Sequence, residues 1–184
     1  MVTMDRFWFL TWTTYGSWLP GDERGFVSRV REGAKPNGPR IEHDKPQTPT
    51  MQSMPGLFNS SSQSLKCPPI RLSQEQANVV ADDLANSARF RGWALLAGSV
   101  MANHVHAVVG VPGDPKPESL RQIFKSYASR ALNQRWGKPA SETWWTESGS
   151  NRKLKDEEAV LATIWYVENQ ESCLARCPKV NVKA

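Results

Sequence analysis

Two histidines separated by one residue are the part of this sequence with the clearest chemical potential. The segment from His104 to Val111 is short and rich in valine, which predicts a β-strand. Side chains two residues apart on a strand point to the same face, so the imidazoles of His104 and His106 would reach one cation. A His-x-His pair without further context is also found as a stacked or surface pair in a hairpin, so the surrounding elements must decide between the two readings.

The residues around the histidines predict a β-hairpin with one core face. Residues 93–100 predict a first strand, residues 101–103 a tight connection, and residues 104–111 a second strand antiparallel to the first. On the second strand the remaining apolar residues share one face, whereas both histidines share the other face with Val108. One face therefore belongs to the core, and the opposite face can carry chemistry.

The other apolar patterns predict an α+β fold, in which an antiparallel sheet carries helices on one face and leaves the other open. A serine N-cap and a glycine at the end define one helix, and an aspartate caps the last helix. In chain order the predicted elements are a strand at 7–15, a helix from Ser73 to Gly92, the hairpin, a helix at 117–136, a short strand at 144–146 and a helix from Asp156 to about 170.

The length of 184 residues predicts a single domain over residues 1–184. Residues 28–69 hold seven prolines and few apolar side chains, which predicts an inserted loop. The residues after about 171 predict a loose tail.

Charge, cysteine content and hydropathy restrict the partners and the cellular compartment that the sequence predicts. The 23 Lys and Arg residues against 18 Asp and Glu residues give a formal charge of +5, which is compatible with a polyanionic partner but common in unrelated proteins. Three cysteines without a close pair predict neither a disulfide framework nor a structural zinc site, which fits a reducing cytoplasm. The N-terminal apolar run is broken by threonines and Gly16, so no signal peptide or membrane helix is expected.

Three segments carry the most specific pattern of the sequence: Met-Ala-Asn-His-Val-His-Ala-Val-Val at 101–109, the helix at 120–133 and Trp-Tyr-Val-Glu-Asn at 165–169. Together they resemble the His-hydrophobic-His (HUH) single-tyrosine transposases, and among them the REP-associated tyrosine transposases. The first strand is also covered, whereas the proline-rich insertion is not. The resemblance implies a ferredoxin-like antiparallel sheet, the HUH endonuclease core, for this chain.

The resemblance also implies a metal-dependent endonuclease and strand transferase acting on single-stranded or hairpin DNA, as a monomer or homodimer. A divalent cation, Mg²⁺ or Mn²⁺, would lie on His104 and His106 and bind an oxygen of the scissile phosphate. Tyr127 would attack phosphorus and form a 5′-phosphotyrosine adduct, unless it is a core tyrosine. Tyr15 lies on an aromatic strand and Tyr166 in a helix that the resemblance assigns to the scaffold, so both are weaker candidates.

The third metal ligand departs from the family pattern. In these transposases a polar ligand lies one helical turn after the tyrosine, and after Tyr127 that position is Ala131, which cannot bind a metal. Gln134 projects from nearly the same side of the helix but lies about 10 Å further along its axis. The third ligand is therefore expected to be Gln134 or water. A missing ligand would instead indicate a domesticated hairpin-binding protein without catalysis.

Basic residues on and after the tyrosine helix are the expected contacts to DNA phosphates, although an ordinary solvated face has the same composition. A replication initiator or relaxase-type nicking enzyme would use the same histidines and tyrosine. The basic candidates are Arg121, Lys125, Arg130, Arg152 and Lys153.

Overall fold

The structure is a computed structural model that describes residues 4–24, 29–31, 40–42 and 52–181. The chain divides into two compact units. The first joins Met1–Ser17 to Pro69–Ala184, and the second is Trp18–Pro68. The predicted single domain is thus a larger unit interrupted by a smaller one, which contains most of the proline-rich insertion.

Seven strands and four helices lie in the described residues. In chain order they are β1 (Arg6–Thr13), β2 (Arg29–Arg31), β3 (Arg40–Glu42), α1 (Pro55–Gln63), α2 (Gln74–Arg91), β4 (Ala94–Met101), β5 (His104–Val111), α3 (Pro117–Trp136), β6 (Ser150–Leu154), α4 (Glu157–Glu168) and β7 (Cys173–Arg176).

The larger unit is built on a five-stranded sheet in the order β6-β1-β5-β4-β7. Every neighbouring pair is antiparallel, and β5 lies in the centre between β1 and β4. The predicted antiparallel α+β fold and the predicted β4–β5 hairpin are therefore confirmed. As the central strand, β5 has neighbours on both edges and elements on both faces.

Helices α2 and α3 cover the face of β5 that carries Val105, Ala107 and Val109. These side chains are buried in one core cluster with residues of both helices and of β1. The predicted start of α2 is confirmed, because the Ser73 side chain accepts a hydrogen bond from the Gln76 backbone amide in a capping box.

Helix α4 lies on the opposite face, which differs from the expectation that this face stays open. Its Val160 and Val167 are buried with Val108, Ala97 and Leu154 in a second cluster. The spacing of apolar residues in α4 indicated that the helix packs, but it contains no information on which face of the sheet receives it. The apolar Val108 beside the histidines was the signal that this face is also covered.

The two edge strands were not predicted. The expected strand at 144–146 is an isolated bridge between Thr14 and Trp145, and the strand itself follows at β6. The expected loose tail pairs with β4 as β7, and Val180 forms a further bridge to Leu95. These short segments become strands because they satisfy backbone groups of β1 and β4, which is a non-local effect.

The smaller unit contains a two-stranded sheet of β2 and β3 and the helix α1. Helix α1 corrects the prediction of a loop over residues 28–69, because Pro55 occupies the start of the helix, where its missing N–H costs nothing. The prolines between residues 32 and 51 lie outside the described residues. No helix in the described parts of the chain is long and apolar enough to cross a membrane.

We expect Phe124→Ala to lower the free energy of unfolding by about 3–5 kcal/mol, since it leaves a cavity in the larger core. The Phe124 ring is fully buried and lies 5.5 Å from the ring of Trp93 and 6.5 Å from that of Trp12. Phe90, which is 79% exposed, is the matched control, and Phe90→Ala should change the value by less than about 0.5 kcal/mol. Urea unfolding of both variants decides, and equal losses would contradict this packing.

Candidate active site

The histidine pair lies on the central strand, on the face covered by α4. The rings of His104 and His106 are 4.8 Å apart between centroids and nearly perpendicular. His106 is buried, with 6% of its surface exposed, and His104 is half-buried. The structure thus brings both imidazoles together, as the alternation of β5 predicted.

Each imidazole is oriented by a neighbouring polar side chain. The Nδ1 atom of His106 is 2.8 Å from the Thr11 hydroxyl oxygen on β1, and the Nδ1 atom of His104 is 2.7 Å from the Asn103 amide oxygen. When Nδ1 donates to such a partner, Nε2 carries the lone pair with which histidine binds a metal. The donor set therefore fits a divalent cation.

Burial keeps His106 in the form that can bind a metal. Desolvation, with a smaller contribution from the neighbouring His104, lowers the pKa of His106 to about 4. The ring is consequently neutral near pH 7. A ligating histidine must be neutral, so no proton has to be displaced from His106 when a cation binds.

Tyr166 is the tyrosine that lies beside the histidines. Its ring centroid is 5.7 Å from that of His106 and 6.0 Å from that of Phe9 on β1. Tyr166 lies on α4 and is 47% exposed, so a ligand can reach the residue from solvent.

Gln170 lies four residues after Tyr166, just beyond the C-terminal end of α4. Its Nε2 donates to the Tyr166 carbonyl oxygen at 3.0 Å, so the amide oxygen is the atom suited to a metal. No group of three His, Cys, Asp or Glu residues that could hold a metal lies in the described part of the chain. Among the described residues a third protein ligand would therefore be of another type, and an amide oxygen meets that condition.

Tyr127, the tyrosine favoured by the sequence, is not brought to the histidines. It lies on α3, whose buried residues pack on the other face of the sheet, and its ring is stacked under Arg130 at 5.1 Å. It lines a groove of about 490 Å³ together with Arg91 and Glu118. Gln134, the expected third ligand, is exposed near the end of the same helix.

Two of the expected DNA contacts are turned into the protein. Lys125 is buried and donates to the carbonyl oxygens of Thr146 and Glu147, and burial lowers its pKa to about 8. Arg121 is also buried and donates to the Asn151 side chain. Lys125 thus holds the segment before β6 onto α3, and Arg121 holds β6 itself. Both contacts differ from the predicted role in phosphate binding.

Arg152 lies on the face of the histidines and Tyr166. Its Nη2 donates to the Thr163 hydroxyl oxygen at 2.9 Å, and its guanidinium lies 5.4 Å from the centre of the Phe9 ring. The next residue, Lys153, is exposed. Of the five basic candidates, Arg152 is thus the one that the structure places in contact with the ring beside Tyr166.

One row across the sheet is polar on all five strands. Residues directly paired between antiparallel strands share a face, and the pairing runs without a break from one edge to the other. His106, which is hydrogen-bonded to Thr11, is therefore the centre of a polar row beneath α4. From β6 to β7 the row contains Ser150, Thr11, His106, Ser99 and Arg176.

The fold and the site together define an α+β protein that presents a tyrosine beside a histidine pair on one face of its sheet. The family model described as "Transposase IS200 like" matches residues 71–170, which is more than half of the chain. The chain belongs to this family of IS200-like transposases. The predicted family and fold class are therefore confirmed, and the chain is a transposase by family.

Two solved structures are similar to this chain. One is a REP-associated tyrosine transposase bound to a REP hairpin, with 12% identity and a TM-score of 0.43, covering 91% of this chain and 67% of that one. The other is described as a transposase from Deinococcus radiodurans R1, with 17% identity and a TM-score of 0.46, covering 94% of this chain and 96% of that one. No curated protein was found to match the sequence.

We expect the free energy of unfolding of the metal-free protein to fall as the pH drops from 6.5 towards 4, because of His106. In this pH interval the histidine of the unfolded chain, with an ordinary pKa of 6.5, is protonated, whereas His106 of the folded chain stays neutral. The unfolded state therefore binds more protons, and a falling pH favours unfolding. The contribution is at most about 3 kcal/mol. Denaturation in the presence of a chelator at pH 7 and pH 4.5 measures it.

His106→Asn is the control for this prediction, because it removes the titrating ring. The difference in stability between the two proteins should therefore shrink at the lower pH. A difference that is independent of pH would show that His106 is not held neutral.

Proposed function

We propose that this chain cleaves and rejoins single-stranded DNA, with Tyr166 as the nucleophile and a divalent cation on His104, His106 and Gln170. The observation that carries the proposal is the 5.7 Å between the rings of Tyr166 and His106 on one face of the sheet. Tyr127 belongs to a helix on the other face of the sheet. The sheet and its core therefore separate Tyr127 from the histidines of the same chain.

The spacing from Tyr166 to Gln170 supports this assignment independently. In the transposases that the sequence resembles, a polar ligand follows the tyrosine after one helical turn. Ala131 occupies that position after Tyr127, whereas Gln170 occupies it after Tyr166. Ala131 was the reason to expect a chain that has lost catalysis. With Tyr166 as the nucleophile, that reason no longer applies.

The donor set suits Mg²⁺ or Mn²⁺ with a phosphate oxygen completing the site, since two neutral imidazoles and an amide oxygen leave positions for oxygen ligands. When bound, the cation would supply charge stabilisation at the non-bridging oxygens of the scissile phosphate. Thr11 and Asn103 would keep His106 and His104 in the orientation that binding requires.

The residues of this chain perform a transesterification. The Tyr166 hydroxyl oxygen forms a bond to phosphorus and loses its proton to solvent, to which the side chain is half open. The bond from phosphorus to the 3′ oxygen breaks, and that oxygen leaves as a 3′-hydroxyl group after taking up a proton. The resulting 5′-phosphotyrosine conserves the ester, so attack by another 3′-hydroxyl group rejoins the strands.

Both halves of the proposed site come from one chain. Tyr166 contacts His106 of the same molecule. Arg152 of β6, the strand beside that of Phe9, donates a hydrogen bond to Thr163 of α4. A monomer is therefore sufficient for cleavage. The substrate we propose is a single-stranded or hairpin DNA end, with Arg152 of β6 as the basic residue on the same face of the sheet as the tyrosine.

Tyr166→Phe should abolish the covalent protein–DNA adduct, because phenylalanine keeps the ring against His106 but lacks the attacking oxygen. Tyr127→Phe is the matched control and should retain the adduct at the level of the unchanged protein. The measurement is denaturing electrophoresis after incubation with labelled single-stranded DNA hairpins and Mn²⁺. Loss of the adduct in Tyr127→Phe together with its persistence in Tyr166→Phe would reverse the assignment.

Gln170→Ala should weaken Mn²⁺ binding at least about tenfold, because it removes a protein ligand. Gln134 on α3, the third ligand expected from the sequence, provides the control, and Gln134→Ala should bind Mn²⁺ with unchanged affinity. Titration calorimetry in the presence of a hairpin DNA decides. Equal affinities for the two variants would show that water or phosphate completes the site.

A further inference from the structure

We propose that Arg176 is a positioning residue for strand transfer: from edge strand β7 it holds the last turn of α4, and with it Tyr166 and Gln170, over the histidine row. The proposal rests on the proposed function for what Tyr166 and Gln170 do. The contacts that support it are independent of that function and lie at the end of α4.

The last turn of α4 lacks a basic residue of its own, and its cap residue, Asn169, is not left-handed (φ −104°). Carbonyl groups at the end of a helix have no partner within the helix and need other donors. The backbone and side-chain amides of Asn169 both donate to the Trp165 carbonyl oxygen, and the Gln170 side chain donates to that of Tyr166. The carbonyl groups that follow depend on donors from elsewhere.

Arg176 supplies those donors. Its Nη1 donates to the Val167 carbonyl oxygen at 3.2 Å and its Nη2 to the Gln170 carbonyl oxygen at 3.5 Å. A planar guanidinium can donate to two acceptors in a fixed relation, and a positive charge at a helix C-terminus is favourable. Because one acceptor belongs to Gln170, the contact acts directly on the proposed third ligand.

The place of Arg176 in the sheet relates this contact to the histidines. Arg176 is paired with Ser99 of β4, which is paired with His106 of β5. Two strand spacings, or about 10 Å, separate the backbones of Arg176 and His106. The Arg176 side chain starts in the row of His106 and ends on the carbonyl groups at the end of α4. It therefore fixes the position and direction of the helix end relative to that row.

A second link at the same helix end provides a control. Lys179 forms an ion pair with Glu168 at 2.7 Å, and both side chains are well exposed. Exposed ion pairs of this kind contribute little, and this one bonds no helix carbonyl group. Removing it perturbs the charge near the helix end while the carbonyl contacts of Arg176 remain.

The test compares Arg176→Met, Arg176→Lys and Lys179→Met in two measurements. At saturating hairpin DNA and Mn²⁺, Arg176→Met should form the adduct about 10- to 100-fold more slowly in a single turnover, because the nucleophile is misplaced. Arg176→Lys, which keeps the charge but not the fork, should recover part of the rate, and Lys179→Met should retain all of it. In hydrogen–deuterium exchange, amides of the last turn of α4 should exchange faster in Arg176→Met alone.

Three outcomes would overturn the proposal. One is an unchanged rate and unchanged exchange in Arg176→Met, and another is an equal loss in Lys179→Met. The third is a defect that disappears as the DNA concentration rises, which would make Arg176 a DNA-binding residue. If the unchanged protein forms no adduct, the proposed function fails, and the exchange measurement alone still decides whether Arg176 holds the helix end. If Arg176→Met does not fold, Arg176→Lys replaces it in both measurements.

Discussion

The alternation of side chains along β5 is the constraint on which the rest of the structure depends. Val105 and Ala107 are buried under α2 and α3, so the histidines between and beside them must point to the other face. Under the proposed function, the side chain that acts together with the histidines comes from the element that covers that second face. In this chain the covering element is α4, and its Tyr166 meets His106.

The same constraint explains which parts of the site were predictable from the sequence. The His104–His106 pair, its common face and the core face of the hairpin follow from local alternation, and the structure has them as predicted. The choice of Tyr127 relied on its place in the helix after the hairpin. That helix shows the apolar stripe of a core element, and a helix that packs on the face of Val105 cannot present a side chain to the histidines on the other face.

The remaining differences arise from pairing between distant segments. Strands β6 and β7 are short, and they form because the edges of the sheet accept partners from far along the chain. Burial of Lys125 under the segment before β6 is likewise a tertiary effect. No local pattern distinguishes such a lysine from one on a solvated helix face. The residues that fix α4, Arg152 on β6 and Arg176 on β7, belong to these edge strands and were therefore not placed by the sequence.

The central claim, that Tyr166 carries the DNA, is tested most directly by locating the covalently bound nucleotide. Trypsin separates the two candidates, since Tyr127 lies in the peptide of residues 126–130 and Tyr166 in that of residues 156–176. After reaction with a DNA hairpin and Mn²⁺, nuclease trimming, trypsin digestion and mass spectrometry should find the nucleotide mass on the peptide of residues 156–176. Its presence on the peptide of residues 126–130 would contradict the account.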